Sequence, residues 1–477
     1  MRKGLILVLA GALLAVFALP AMAEFNFSGF IRSEGIVSNY ERFDAGTFIP
    51  VSTGAESGAT IANPAILTKR LLVVRTDRTA HYAQERSRLR FESKGENVGA
   101  VAFFELDFRY GDAQYTVARN QGGGLEADSI NLETKNVYVW FKPMPSMTVN
   151  VGLQNFTDSY RGIILGYADM AGIFFTGKYE PVDYRFGWAK FGSGNGAGGA
   201  TFTVPEDKDV DFYALEVHGS PVKNARAGLN LYYIRDSQST SIASIPSIGF
   251  TGVTGLNTAE VYYVGADASF TFNPFTLSGF ALYNFGKLKF VPGSTNEDVD
   301  IKAWAADVRL DAALGPGKGF IEGLYVSGTE SSDDEFKTLV TGSTWALAAS
   351  FYTTTDMQIL LPNIGDINTS QALAYEVSNS GAGMIHVGAG YTMPLMSKLT
   401  GKLGVGYLRG AKKLPWSDKK SQGTEVNANL NYNLAKGLDL TAIGAYAWLG
   451  DAYDTINGVA NDPDNPYKLL ARLNYAF

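Results

Sequence analysis

Over residues 467–477 the chain alternates. Tyr467, Leu469, Ala471, Leu473, Tyr475 and Phe477 occupy one set of alternate positions; Lys468, Leu470, Arg472, Asn474 and Ala476 occupy the other. Successive side chains of a strand point to opposite faces, so this segment predicts a strand with one apolar face and one mostly polar face. Aromatics stand at both ends of the apolar face, where a membrane-spanning strand places its two interfacial girdles. The pattern recurs. Phe25, Phe27 and Ile31 oppose Asn26, Ser28, Arg32 and Glu34; Ala102, Phe104, Leu106, Phe108 and Tyr110 oppose Glu105, Asp107 and Arg109. Leu229, Leu231 and Tyr233 oppose Arg226, Asn230 and Tyr232, and Val426, Ala428, Leu430 and Tyr432 oppose Glu425, Asn427, Asn429 and Asn431. A sheet buried on both faces would not set Arg, Glu and Asn so regularly on one of them, whereas a polar lumen does.

The connections alternate between short and long. Short ones carrying turn residues fall at 94–97, 143–146, 180–183, 219–224, 273–274, 315–319, 394–397 and 435–437. Long ones fall at 38–83, 111–132, 157–170, 192–207, 237–257, 288–299, 329–382, 410–422 and 450–465. Short periplasmic turns and long external loops are the rhythm of a bacterial outer-membrane barrel. Eight turns and nine loops give 18 strands, with 16 as the alternative; the count is least fixed in 329–382, where Thr344 to Tyr352 also reads as strand. Lipid offers no partner to an open strand edge, so the fold predicted is an all-β, closed antiparallel transmembrane β-barrel. At this strand number the interior holds water rather than a packed core.

The first residues set the compartment. Arg2 and Lys3 precede an apolar run from Leu5 to Leu19, Pro20 breaks it, and Ala21-Met22-Ala23 has the small-residue pattern of a cleavage site before Glu24. Residues 1–23 are therefore expected to be a signal peptide and 24–477 a single barrel domain. Cleavage removes two of the 40 basic residues and none of the 47 acidic ones, moving the net charge from −7 to −9. An acidic chain is a poor nucleic-acid binder. A mean hydropathy of −0.02 excludes a bundle of membrane helices. The absence of cysteine excludes disulfides, thiolate metal sites and c-type haem in this chain.

Two segments carry candidate chemistry. In Arg86-Ser87-Arg88-Leu89-Arg90-Phe91-Glu92 the three arginines share a face with Glu92. An arginine facing lipid at mid-bilayer costs about 2–4 kcal/mol, so all three are expected to face the lumen as a basic ladder. A hairpin centred on residues 95–96 would bring Glu105 near Arg86, and Arg109 continues that face. Structural ion pairs holding the wall rigid are the alternative. The second segment, 155–171, contains Asp158, Tyr160, Arg161, the apolar run Ile163-Ile164-Leu165, and Asp169. Such a run suits a packed loop better than a solvated one. Folded inward it is a constriction loop whose Asp158 and Asp169 are expected to face the ladder.

Residues 87–95 (Ser-Arg-Leu-Arg-Phe-Glu-Ser-Lys-Gly) and 101–107 (Val-Ala-Phe-Phe-Glu-Leu-Asp) resemble the second and third strands of Gram-negative general porins. Asn136 to Trp140 followed by Val149 to Asn155 resembles the next hairpin, which leads into the constriction loop, and Phe477 resembles the C-terminal aromatic read by the barrel-assembly machinery. The overall design is also similar to the trimeric porins of sulfate-reducing and related bacteria. This resemblance implies homotrimers in the outer membrane, in contact with its lipids and lipopolysaccharide, passing ions and small hydrophilic solutes by passive diffusion. The chain departs from the general porins in its length, in 38–83, and in its few acids at the expected constriction. A substrate-selective channel therefore stands as the alternative, and a barrel sleeve around a partner protein is a further one.

No cofactor or metal ion is expected, and no enzyme activity. His81, His218 and His386 show no spacing to a nucleophile or orienting acid. The acids at 330–335 and at 451–464 lack EF-hand spacing and read as solvated loop residues. Lys412, Lys413, Lys419 and Lys420 are candidates for lipopolysaccharide phosphates.

Overall fold

The computed structural model describes residues 24–40, 79–112, 122–126, 130–192, 209–237, 256–290, 297–330, 333–345, 357–361, 367, 372–374 and 376–477 except 457. The expected signal peptide lies outside these residues, as do most of 38–83 and residues 346–352 of the strand-like run. The described part of that run, Thr344 and Trp345, belongs to a short 3-10 turn, Gly342–Trp345, and adds no strand to the wall.

The wall is built of β1 (Glu24–Ser38), β2 (Ala80–Lys94), β3 (Val98–Arg109), β4 (Leu132–Met144), β5 (Met147–Phe156), β6 (Ala168–Tyr179), β7 (Val182–Gly192), β8 (Val210–Gly219) and β9 (Ala225–Asp236). It continues through β10 (Leu256–Phe272), β11 (Phe275–Phe290), β12 (Val299–Leu314), β13 (Gly317–Val326), β14 (Met384–Met396), β15 (Leu399–Arg409), β16 (Ser421–Ala435), β17 (Leu438–Leu449) and β18 (Tyr467–Ala476). Each strand pairs antiparallel with its sequence neighbour, and β1 pairs with β18 from Phe30↔Ala476 to Ser38↔Lys468. The sheet is thus a closed barrel of 18 strands with no free edge. The carboxyl-terminal Phe477 completes the seam: Gly29 N–H donates to its carbonyl at 3.0 Å and its own N–H donates to Gly29 at 3.1 Å. A side chain at Gly29 would strike the carbonyl of Arg88, so this close approach requires glycine.

Alternation decides what faces where. In β8, Tyr213, Leu215 and Val217 are exposed outward while Phe212, Ala214 and Glu216 are buried inward. In β9, Leu229 and Leu231 stand outside, and Asn230 and Tyr232 inside. In β18, Leu469, Leu473 and Tyr475 are outside and Lys468 is buried inside. Two aromatic belts edge the outer face. Near the long-loop end Tyr213, Tyr233, Tyr262, Phe285, Tyr283 and Trp304 stack from strand to strand at 4.5–5.9 Å. At the short-turn end Phe25, Phe91, Phe27, Phe477 and Tyr475 form a second cluster.

The interior departs from the expected open pore. A large apolar cluster fills part of the lumen, built from Tyr160, Ile163, Ile164 and Leu165 of the 157–167 loop and Phe336, Leu339, Val340, Ile359, Leu360 and Leu361 of the segment after β13. It packs on inward wall residues such as Phe156, Phe212, Ile234, Tyr263 and Leu282. The connection 329–382, expected outside, therefore sends residues 336–340 and 357–361 inward. Loop residues this apolar leave water by packing against the wall.

Candidate functional site in the lumen

The basic ladder lies on the inner wall of β2. Its hairpin with β3 pairs Arg86 with Asp107 and Arg88 with Glu105, two residues along from the expected register. The turn is centred on Glu96-Asn97, with Gly95 N–H donating to the Val98 carbonyl at 2.9 Å. A one-residue error in the turn centre moves the partner by two residues, which keeps every side chain on its face. Arg86 Nε donates to Asp107 Oδ1 at 2.7 Å and Nη2 to Oδ2 at 2.5 Å, a fork-to-fork pair. Its Nε also lies 3.3 Å from Glu105 Oε2. Arg88 Nε donates to Glu105 at 2.5 Å, and Arg90 Nη2 reaches Glu92 only at 3.5 Å. Side-chain exposure rises down the ladder toward the short-turn end: 12% at Arg86, 30% at Arg88 and 34% at Arg90. The upper rung is thus bound into the wall, while the lower two, Arg88 still paired with Glu105, are more exposed. Arg109 ends the row over the ring of Tyr82.

The wall beside the ladder is also charged. Arg32 sits opposite Arg86 in β1, and Arg472 of β18 pairs with Glu34 at 2.7 Å. Lys135, which the sequence reading passed over, lies 3.9 Å from Glu105 and 2.7 Å from Asp169.

The 157–167 loop does fold inward, but its charges do other work than expected. Asp158 is buried, and its carboxylate accepts four backbone N–H groups of its own loop: Tyr160 at 2.8 Å, Gly162 at 3.1 Å, Ile164 at 2.9 Å and Leu165 at 2.6 Å. Its role is to hold the loop in shape, not to face the arginines. Burial outweighs these four bonds and pushes the carboxyl up to about 6. Tyr160, also buried, donates its hydroxyl to the Asn230 carbonyl at 2.9 Å. Arg161 anchors the loop to the far wall, 3.1 Å from Asp307 and donating to Ser278 at 2.9 Å. Asp169, the second residue of β6, lies on the face opposite to buried Ala168 and Met170 and is bound by Lys135, Asn136 and Asn155. The loop thus leans on β9–β13 rather than on the ladder.

A second inward segment went unforeseen. Glu425 of β16, buried in the lumen, accepts the backbone N–H groups of Gln358 at 2.7 Å, Ile359 at 3.0 Å and Leu360 at 2.9 Å. Tyr40 donates its hydroxyl to the Gln358 carbonyl, and Arg86 Nη2 to the Ile367 carbonyl at 3.1 Å. The two inward segments touch where Gly342 N–H donates to Ile164 at 2.8 Å. The signal that could have found this segment was the one that found the first: Leu339-Val340 and Ile359-Leu360-Leu361 are apolar runs within a long connection. At the outer end the acids at 330–335 meet lysines, with Asp333 2.7 Å from Lys337 and Glu335 paired with Lys302.

No family model and no curated protein matches this chain. Solved structures do. Pseudomonas aeruginosa OccK2 (OpdF) is similar over 95% of this chain and 98% of its own, at 10% identity and a TM-score of 0.53. Acinetobacter baumannii OccAB4 is similar over 96% and 99%, at 12% identity and a TM-score of 0.52. The outer membrane protein opdK from Pseudomonas aeruginosa is similar over 95% and 98%, at 9% identity and a TM-score of 0.50. At such identities the likeness is one of fold, and it extends over nearly the whole of each chain: this protein is a closed 18-stranded antiparallel barrel of the architecture those proteins share.

Proposed function

We propose that this protein is an outer-membrane porin, a passive channel through which ions and small hydrophilic solutes diffuse. The observation that carries this reading is the partition of the wall. Leu, Val and aromatic side chains face out between two aromatic belts, while Arg86, Arg88, Arg90, Glu105, Asp107 and Arg472 face in. A barrel closed by hydrogen bonds with a charged inside and an apolar outside belongs in a bilayer with water in its lumen. Pores of this kind select by width, lining charge and field, without a covalent step. Two inward segments favour a narrower, substrate-selective channel over a wide general one. By filling the lumen with the chain's own residues, they also speak against a sleeve for another protein.

The setting follows from the same reading: export by residues 1–23, assembly through Phe477, and lipopolysaccharide at the outer rim. In that rim Lys412 lies 3.6 Å from Glu330 and Lys419 lies 4.0 Å from Asp418, so the lysines are partly offset. A homotrimer is supported by the outer wall of β1–β3. Glu85 points outward there, accepting hydrogen bonds from Ser33 at 3.0 Å and Tyr110 at 2.9 Å. An acid on an outer face that also carries Phe27, Ile31, Leu89 and Phe91 is better placed against a neighbouring subunit than against lipid.

The test is electrical. Purified protein added to a planar bilayer in KCl is expected to insert in discrete, ohmic conductance steps. Insertion without conductance would overturn the channel reading.

A further inference from the structure

Among the inward positions of the wall, those of β16 below Glu425 differ in kind from the ladder. Asn427, Asn429, Asn431 and Asn433 occupy four successive inward positions, while Val426, Leu430, Tyr432 and Leu434 stand exposed outside. Asparagine is depleted in strands, and a lumen needs only polarity, which Thr or Lys would supply at lower conformational cost. Four in register call for a reason. With two residues rising about 6.7 Å, the row extends for roughly 20 Å toward the turn at 436–437.

The upper amide is part of the scaffold. Asn427 is buried, donates to Glu425 at 3.3 Å, and occupies space that a side chain at Gly404 would take. The lower three are half-buried. Asn431 donates to Thr441 at 2.8 Å and Asn433 to Asp439 at 3.0 Å, each bond engaging only the amide nitrogen. Asn429, between Lys402 of β15 and Ile443 of β17, has no hydrogen bond among the described residues. Each amide combines two donors with an acceptor of two lone pairs, so the row presents both donors and acceptors without charge.

Resting on the channel reading above, we infer that this asparagine row is a sliding site for neutral polyhydroxylated solutes, the chemical class of small sugars and polyols. A hydroxyl both donates and accepts, and so does a primary amide. A pore needs binding that is weak and repeated, so that a solute enters and also leaves. Three amides at even spacing, below the segment pinned by Glu425, provide that. The ladder of β2 runs below the same inward segment, so neutral and anionic groups meet different rails of one vestibule.

Liposome swelling tests the inference, with glucose and a polyethylene glycol of equal hydrodynamic radius as probes and KCl conductance as control. The wild-type barrel is expected to admit glucose about threefold faster than the polymer, the scale of a lost hydrogen bond. The variant Asn429→Ala, Asn431→Ala, Asn433→Ala is expected to lose that advantage and keep its KCl conductance. If it does not assemble, Asn429→Leu alone, whose amide has no partner to lose, should lower the ratio in the same direction. Equal rates for the two probes in a conducting wild-type barrel, or an undiminished sugar advantage in the variants, would overturn the inference and leave the channel reading standing. A barrel that passes neither ions nor glucose overturns both.

Discussion

Alanine at Asp158 should turn a quiet channel into a noisy one of higher mean conductance. The substitution strips four buried N–H groups of their acceptor, those of Tyr160, Gly162, Ile164 and Leu165. Each costs about 1–3 kcal/mol if left unpaired. Against this stands the burial of Ile163, Ile164 and Leu165, worth about 1.5–3 kcal/mol each. The two sums are of similar size, so the loop is expected to flicker between seated and released rather than leave for good. The same carboxylate sets a pH dependence. Its pKa is raised to about 6, so the seated loop binds a proton more tightly than a solvated loop, whose Asp titrates near 3.8. Seating is therefore favoured as pH falls through about 6 toward 3.8, and the wild-type channel should flicker less at pH 5 than at pH 7.5. In the alanine variant this dependence disappears. Single-channel recording of both proteins at the two pH values checks each statement; equal noise in the two would mean that Asp158 does not hold the loop.

The second large effect is expected at the ladder. Arg88→Gln with Arg90→Gln removes the two more exposed cations; buried Glu105 loses Arg88 but keeps Arg86 at 3.3 Å and Lys135 at 3.9 Å, and Asp107 keeps Arg86. Removing Arg86 as well would strand those carboxylates, a loss of about 3–5 kcal/mol for a broken buried pair, so the double variant is the cleaner probe. Fixed charges act over roughly 8 Å at physiological salt. The lining near residues 86–92 should therefore set selectivity more than the overall charge of the chain. In a KCl gradient the reversal potential of the double variant is expected to shift toward cations, more at low salt than at high salt. An unchanged potential would make the arginines wall struts alone.

The wall was legible in the sequence because lipid on one side and polar lumen on the other impose a strict period of two. Val426 and Asn427, or Leu231 and Tyr232, declare their faces without any knowledge of their neighbours. The eight short turns and nine long connections coincide with the strand boundaries for the same reason. The register between β2 and β3 was less legible, because it depends on which pair in Gly95-Glu96-Asn97-Val98 forms the turn centre, and residue type alone left that open. The inward course of 157–167 could be read from Ile163-Ile164-Leu165. Its docking on Asp307 and Ser278 could not, since these lie more than 100 residues away and no local pattern links them. Glu425 looked like any other lumen acid. Only the structure shows its carboxylate gathering the N–H groups of residues 358–360.

If the barrel is a channel, a water-filled path runs beside the lower rungs of the ladder. The chain has no cysteine, so a single one can be introduced without background. The decisive measurement is the single-channel current of Arg90→Cys while a negatively charged, membrane-impermeant methanethiosulfonate is added. Conductance is expected to fall stepwise as each thiol is modified, and the reversal potential to shift toward cations. Unchanged current through a protein shown by mass to be fully modified would contradict it.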